Sequence, residues 1–196
     1  MSEKTYHHGG LRTALIDAGR RILEQDGLEA LTLRACAREA GVSHAAPQHH
    51  FRNLGELIAA IAASGFDDFV VSLDASAAEV EEADAKLQVM GIAYVAFAIA
   101  HPALYRIMFG IEAMQSESDA FRTARGQAWN QLHGGVVAAH GASNAESDAV
   151  LIWSLVHGHA MLRISSCMPT EFAPDEMLRH ALATVSSGLA RDRREC

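Results

Sequence analysis

Amide and imidazole side chains are concentrated near the N-terminus, where His44, Gln48, His49 and His50 lie within a few residues of one another. A glutamine amide can pair with the donor and the acceptor on an adenine edge, and an imidazole can donate to a base acceptor or to a phosphate. On a helix His44 and Gln48 would share one face, because residues four apart are neighbours on its surface. These side chains therefore have the chemistry of a surface that reads DNA bases.

Small and hydroxyl-bearing residues surround these polar side chains. The methyl groups of Ala45 and Ala46 suit contact with a thymine methyl. Thr32 and Ser43 stand where helix N-termini are expected, and their hydroxyls, with the neighbouring backbone N–H groups, suit phosphate oxygens. Phosphate contacts fix the position of a protein on a duplex, whereas contacts with base edges read the sequence.

Two short helices joined by a glycine turn are predicted to carry these residues. Thr32 is expected to cap the first helix, over 33–40, and Ser43 a second helix of similar length. Helices that meet at about 90–120° need a small residue at their contact and a glycine in the turn, which Ala37 and Gly41 supply. The pattern predicts a helix-turn-helix whose second helix enters a major groove.

Apolar residues repeat at helical spacing through most of the chain, and no stretch shows the alternation of a strand. We therefore expect an all-α fold. Residues 1–55 are predicted to form a helix-turn-helix domain and residues 73–196 a larger helical domain, with a linking helix over 53–72. About nine helices are expected, over 11–26, 33–40, 43–50, 53–72, 85–101, 103–109, 121–136, 149–164 and 174–189.

The charge of the chain is unevenly divided. Residues 1–60 carry seven Lys or Arg and seven Asp or Glu, whereas residues 61–196 carry nine and seventeen and so supply the whole net charge of −8. The first segment also holds five of the eleven histidines. This division favours the N-terminal segment as the part that faces phosphate.

The composition predicts a cytoplasmic protein without a membrane span. The longest apolar run, 90–100, is well short of the roughly 20 residues that cross a bilayer, and the N-terminus lacks the pattern of a signal peptide. Cys36, Cys167 and Cys196 form an odd set without CxxC spacing, so neither a disulfide framework nor a zinc finger is expected. A redox switch through Cys36 stays open.

Several short motifs follow one another between residues 5 and 66, and together they resemble the N-terminal domain of TetR/AcrR-family regulators. The resemblance implies a ligand-responsive transcription regulator, a repressor that binds a near-palindromic operator as a dimer. Two positions depart from the family pattern, since Gln48 stands where an aromatic residue is usual and Leu54 where a lysine is usual. The motifs are Tyr6-His7-His8-Gly9, the helix stop Gly27, Leu31-Thr32-Leu33-Arg34, Ala40-Gly41-Val42-Ser43 and His50-Phe51-x-Asn53. By position, the residues implied to lie at the DNA are Thr32, Arg34, Ser43, His44, Ala45, Ala46, Gln48, His49 and His50.

In the second half, the segment 101–110 and the residues Trp153, His157 and Gly158 resemble a TetR subgroup whose ligand domain carries a Trp-His-Gly signature. The resemblance implies a homodimer that forms through the last two long helices. A pocket for a small apolar effector, with no cofactor, is expected, because ligand sites are mainly apolar with a few polar groups. The candidate ligand-binding residues are His101, Tyr105, Met108, Phe109, Trp129, Trp153 and His157.

Other functions fit the sequence less well. The main alternative is a helical adaptor that binds a protein with the same face, which the salt dependence of binding would distinguish from a DNA contact. A metal-sensing regulator is disfavoured, because His157 and His159 diverge on a helix and His133 and His140 stand two turns apart. The sequence shows neither a nucleophile paired with a base nor a phosphate-binding glycine loop, so it does not indicate an enzyme. Neither a catalytic site nor a metal site is expected.

Overall fold

A computed structural model describes residues 8–116, 118–169 and 173–192 of the chain. Within these ranges it contains nine α-helices, two short 3₁₀ turns (Leu28–Ala30 and Ala46–His49) and no strand. The all-helical prediction is therefore confirmed. The helices are α1 His8–Asp26, α2 Leu33–Glu39, α3 Leu54–Ala77, α4 Ala83–Ala100, α5 Pro102–Met108, α6 Ile111–Met114, α7 Asp119–His140, α8 Ala145–Ile164 and α9 Pro174–Asp192.

The contacts within the chain define two compact units that do not follow chain order. The N-terminal unit combines Met1–Phe66 with His101–Ala124, and the C-terminal unit combines Asp67–Ala100 with Arg125–Cys196. Residues 101–124 group with the N-terminal helices because α5 packs against α1. This grouping differs from the predicted division into 1–55 and 73–196, and that functional division stays a prediction.

The N-terminal unit is built on close contacts of α3 with α1 and α5. Gly19 of α1 faces α3 so closely that a Cβ there would lie 2.5 Å from Cδ1 of Ile61. Gly65 of α3 faces α5 in the same way, since a Cβ there would lie 2.9 Å from Sδ of Met108. Because a side chain at either position would displace the end of the side chain that faces it, the two glycines allow α3 to pack closely against α1 and α5.

The C-terminal unit packs α4 against both α8 and α9, which also contact each other. Its buried cluster includes Leu87, Val136, Ala149 and Ile152. Gly91 of α4 lies where a Cβ would approach both methyl groups of Leu182 to 3.0 Å. The glycine therefore allows α4 to sit close to α9.

Among the described helices, α4 is the one long and apolar enough to cross a membrane. Length and composition do not separate a membrane span from the core helix of a soluble protein. Here α4 packs on two neighbouring helices and buries Leu87, Tyr94, Phe97 and Ala98. This packing fits a core helix.

Several helix bounds differ from the sequence prediction by a few residues, and one short helix was not predicted. The helix predicted over 53–72 continues to Ala77, because Leu73 and Ala77 lie one turn apart and both are buried. A further short helix, α6, lies between the two helices that were predicted on either side of it.

Candidate DNA-binding surface and aromatic cluster

The first half of the predicted helix-turn-helix forms as expected. Oγ1 of Thr32 accepts a hydrogen bond from the backbone N–H of Ala35 at 3.0 Å and so caps α2. The turn after α2 places Gly41 at φ 68°, in the left-handed region that glycine adopts at little cost. The N–H of Val42 then bonds to the carbonyl of Ala37 at 2.9 Å, which closes the end of the helix.

The prediction of an α-helix over 43–50 is wrong, because the structure has a turn followed by the 3₁₀ turn Ala46–His49. In a helix capped by Ser43, the first helical hydrogen bond would run from the N–H of residue 47 to the carbonyl of Ser43. Pro47 has no N–H, and its ring would clash with that carbonyl. Hydrogen bonds between residues three apart, which make the tighter turn of a 3₁₀ helix, form instead. They run from the N–H of Gln48 to the carbonyl of Ala45 and from the N–H of His50 to the carbonyl of Pro47.

The recognition segment, which we define as residues 43–50, still presents its polar side chains outward. Pro47 and Phe51 are the buried anchors, with Phe51 only 2% exposed. Outside the segment, Thr32 and Arg34 are also exposed. Within it, Ser43, His44, Ala45, Gln48 and His49 are exposed, and Ala46 and His50 are partly exposed. All nine predicted DNA contacts are thus accessible, and their contact with DNA stays a prediction.

Two arginines beside the recognition segment were missed as candidates. The Arg12 guanidinium carbon lies 5.2 Å from the centre of the Phe51 ring, and Nε of Arg52 pairs with Oε1 of Glu56. Oδ1 of Asn53 accepts from the N–H of Glu56 at 2.9 Å, which begins α3. Hydrogen bonds from Arg52 lower the pKa of Glu56. The sequence signal for Arg52 was its position just after a recognition segment without Lys or Arg. Arg12 lies far from that segment in the sequence, and the fold brings it to the same cleft.

Cys36 does not have the environment of a redox-active thiol. It is fully buried, and burial, with a smaller effect of the Glu39 carboxylate, raises its pKa to about 11. Because the thiolate is the reactive form, this environment disfavours the switch left open by the sequence. Cys196 and the residues Tyr6 and His7 of the N-terminal motif lie outside the described residues.

Three of the predicted ligand-binding residues meet in the C-terminal unit. The Trp153 ring lies 6.2 Å from that of Trp129 and 6.3 Å from that of His157, measured between ring centres. We call these three residues and Tyr94 the aromatic cluster. Nε1 of Trp153 donates to the Tyr94 hydroxyl at 3.2 Å, and that hydroxyl lies 3.0 Å from Nδ1 of His157.

The hydrogen bonds of Tyr94 fit a neutral His157. The Tyr94 hydroxyl accepts from Nε1 of Trp153 and can donate to Nδ1 of His157, which accepts only in the neutral imidazole. Burial lowers the pKa of His157, in agreement with a neutral ring. Tyr94 was absent from the predicted site, because its contacts with α8 join residues about sixty positions apart.

The other four predicted ligand-binding residues belong to the N-terminal unit. Tyr105 and Met108 are completely buried. The Phe109 ring lies 4.9 Å from the centre of Tyr105 and 5.3 Å from that of Phe66. His101 precedes α5 and is partly exposed. These four therefore lie in or beside a packed apolar core, and their role in ligand binding stays a prediction.

Asp84, His140 and Ser186 form a polar contact between α4, α7 and α9. Ser186 Oγ donates to Oδ1 of Asp84 and lies 3.3 Å from Nε2 of His140. Oδ1 of Asp84 is 3.6 Å from the same nitrogen. A catalytic Ser-His-Asp arrangement needs the acid and the serine on opposite ring nitrogens. This geometry instead suits a structural link, and no cluster within the described ranges has the residues to hold a metal ion.

Comparison with protein families agrees with this architecture. Residues 15–61 match the model of bacterial regulatory proteins of the tetR family, and residues 87–185 match the tetracyclin repressor-like C-terminal domain. The second match alone covers just over half of the chain. The chain belongs to the TetR family. It is therefore a DNA-binding transcription regulator, and the predicted membership of the TetR family is confirmed.

Individual relatives of this TetR-family chain span nearly its whole length. A protein of unknown function from Rhodococcus sp. RHA1 is 35% identical, with 96% of this chain and 100% of that one covered and a TM-score of 0.83. An uncharacterised HTH-type transcriptional regulator of Mycobacterium tuberculosis is 23% identical over 92% of this chain and 82% of its own. A TetR variant from Acinetobacter baumannii AYE, solved in complex with minocycline, is 18% identical, with 96% and 99% covered and a TM-score of 0.66. The Trp-His-Gly subgroup stays a prediction.

Proposed function

We propose that this TetR-family regulator is a homodimeric repressor that binds a near-palindromic operator and is released by a small effector. The observation that carries the proposal is the outward polar face of the recognition segment, on which His44, Gln48 and His49 are exposed while Pro47 and Phe51 are buried. A buried anchor under an exposed polar face is what entry into a major groove requires. A protein with this role works in the bacterial cytoplasm.

An apolar face on α8 supports the dimer. Val150, Leu151 and Leu162 are 47%, 48% and 47% exposed, and Met161 is 36% exposed. Gly158 lies between them, and a Cβ there would meet nothing within 4 Å. An exposed apolar stripe with a glycine at its centre suits close packing against a second helix. A two-fold dimer would set its recognition segments about 34 Å apart, in successive major grooves.

Selection of bound sequences from random DNA tests the proposal. We expect a near-palindromic site, and we expect the double variant His44→Ala, Gln48→Ala to bind it at least tenfold more weakly, because each lost base contact removes about 1–3 kcal/mol. Gln127→Ala, an exposed change on α7, is the control. Unchanged affinity in the double variant would contradict the assigned surface. A partner bound with little salt dependence would favour the adaptor instead.

The aromatic cluster supports a flat apolar effector that carries a polar group. Aromatic rings from α7 and α8 offer stacking surfaces, and the Tyr94–His157 pair offers a polar contact. The chain has only two tryptophans, and both belong to the cluster. Tryptophan fluorescence therefore reports on this site alone.

Titration with minocycline, the compound bound by the Acinetobacter relative, is a first experiment on the effector. We expect binding of a compound of this class to quench the emission and to weaken operator binding, with a coupling of about 1–3 kcal/mol. In Trp153→Phe the quenching should become smaller. An effector that releases DNA without changing the emission would place its site outside the cluster.

A further inference from the structure

We propose that Arg12 and Arg52 together hold an operator phosphate at the start of α3, a contact that replaces the lysine the family usually has at position 54. This inference rests on the proposed operator binding and adds two residues to its surface. It assigns the partner of this part of the surface as the sugar-phosphate backbone of duplex DNA.

The electrostatic need for such a contact follows from the charge of the recognition segment. No Lys or Arg occurs between Arg38 and Arg52, and Leu54 has no charge. Phosphate neutralisation by Lys and Arg supplies most of the sequence-independent affinity of a protein for DNA. The cations must therefore come from outside the recognition segment.

The structure brings two such cations to one cleft in the N-terminal unit. The cleft, of about 570 Å³, is lined by Arg12 of α1, His50 at the end of the recognition segment, and Arg52 and Asn53 before α3. The Phe51 ring beneath Arg12 is buried and so fixes the position of the guanidinium that stacks on it. Arg12 is exposed, and its charge reaches into the cleft, where it helps to lower the pKa of the Glu56 carboxyl.

Arg52 is also able to bind a phosphate while it holds Glu56. Its Nε and its backbone N–H donate to the two carboxylate oxygens of Glu56, and its side chain is 85% exposed. A guanidinium has five N–H donors in a planar fork, so the four on its terminal nitrogens stay outside this Nε contact. Two carboxylates also line the cleft. That of Glu56 is held by Arg52, and that of Glu112, on α6, disfavours an anion beside it. The phosphate is therefore assigned to the side formed by α1 and the start of α3.

Salt titration of DNA binding tests this assignment. In Arg12→Gln and in Arg52→Gln we expect affinity to fall about three- to tenfold at 150 mM salt, equally on operator and on random duplex, and the slope of log K against log salt to lose about one unit. Arg12→Lys keeps a cation and should retain most of the slope. Arg106→Gln is the matched control, because α5 contacts Glu24, about 18 Å along α1 from Arg12.

The outcomes separate this inference from the proposed function. If the wild-type protein binds no DNA, the operator function itself is wrong. If the wild type binds but both Gln variants keep the slope of Arg106→Gln, only the phosphate contact is wrong. A loss confined to the operator sequence would also overturn it, since it would indicate base reading. Circular dichroism of each variant shows whether a loss comes from unfolding.

Discussion

At the residue scale, the buried polar link in the C-terminal unit shows how one hydroxyl holds three helices. Ser186 is 6% exposed and satisfies Asp84 while it faces Nε2 of His140. Its proton goes to the carboxylate, so its oxygen is free to accept from the imidazole N–H. Loss of this hydroxyl would remove the partner that the buried His140 side chain shares with the partly exposed Asp84, which keeps its hydrogen bond from Gln88.

Ser186→Ala is accordingly expected to lower the free energy of unfolding by about 1–3 kcal/mol, the range for a buried polar group that loses its partner. Ser187→Ala, the same change at the neighbouring exposed position, should alter stability by less than about 0.5 kcal/mol. Thermal and urea unfolding, at one protein concentration, measure both. Equal stability of the two variants would mean that the link contributes little.

Individual caps were predictable from the sequence, and individual tertiary contacts were not. Thr32 caps α2 through an N–H three residues away, so the local sequence holds all the information. The bond from Trp153 to Tyr94 joins residues about sixty positions apart. In the sequence, Trp153 and Tyr94 are aromatic residues at helical spacing, and this spacing does not indicate which helices contact each other.

At the element scale, helix content was predictable because apolar spacing and end signals act within a few residues. The recognition segment is the exception, and one residue explains it. The hydroxyl of Ser43 and the spacing of the histidines both indicated an α-helix, but Pro47 stands where the first helical N–H is needed. The polar side chains of the segment are exposed as predicted although the segment is not an α-helix, because the buried Pro47 and Phe51 anchor it to the N-terminal unit.

The way in which the helices group into compact units was harder to predict from the sequence than the helices themselves. Chain order suggested that everything after residue 73 forms one domain, yet α5 packs with α1 in the N-terminal unit. The same helix α5 also packs against α3, where the lack of a side chain at Gly65 admits Met108 and Leu104 to close contact. A lone glycine within an apolar helix does not show, in one sequence, which helix will approach it.

At the scale of the whole molecule, reading two half-sites of an operator requires two chains, and α8 offers the surface that joins them. Its exposed apolar residues Val150, Leu151, Met161 and Leu162 recur at helical spacing on either side of Gly158. An apolar stripe of this kind is costly in water, and a second copy of the same stripe would bury it symmetrically. Dimerisation would therefore precede tight operator binding.

Leu151→Glu with Leu162→Glu should convert the protein to monomers, because each dimer would bury four unpaired carboxylates. Val71→Glu is the matched control, since Val71 is 66% exposed on α3, outside α8 and α9. Sedimentation velocity measures the assembly state, and binding to a full operator and to an isolated half-site measures its consequence. The monomer should keep its affinity for the half-site and lose its preference for the full site, since one chain reaches one major groove. A double variant that stays dimeric would assign the dimer contact to another surface.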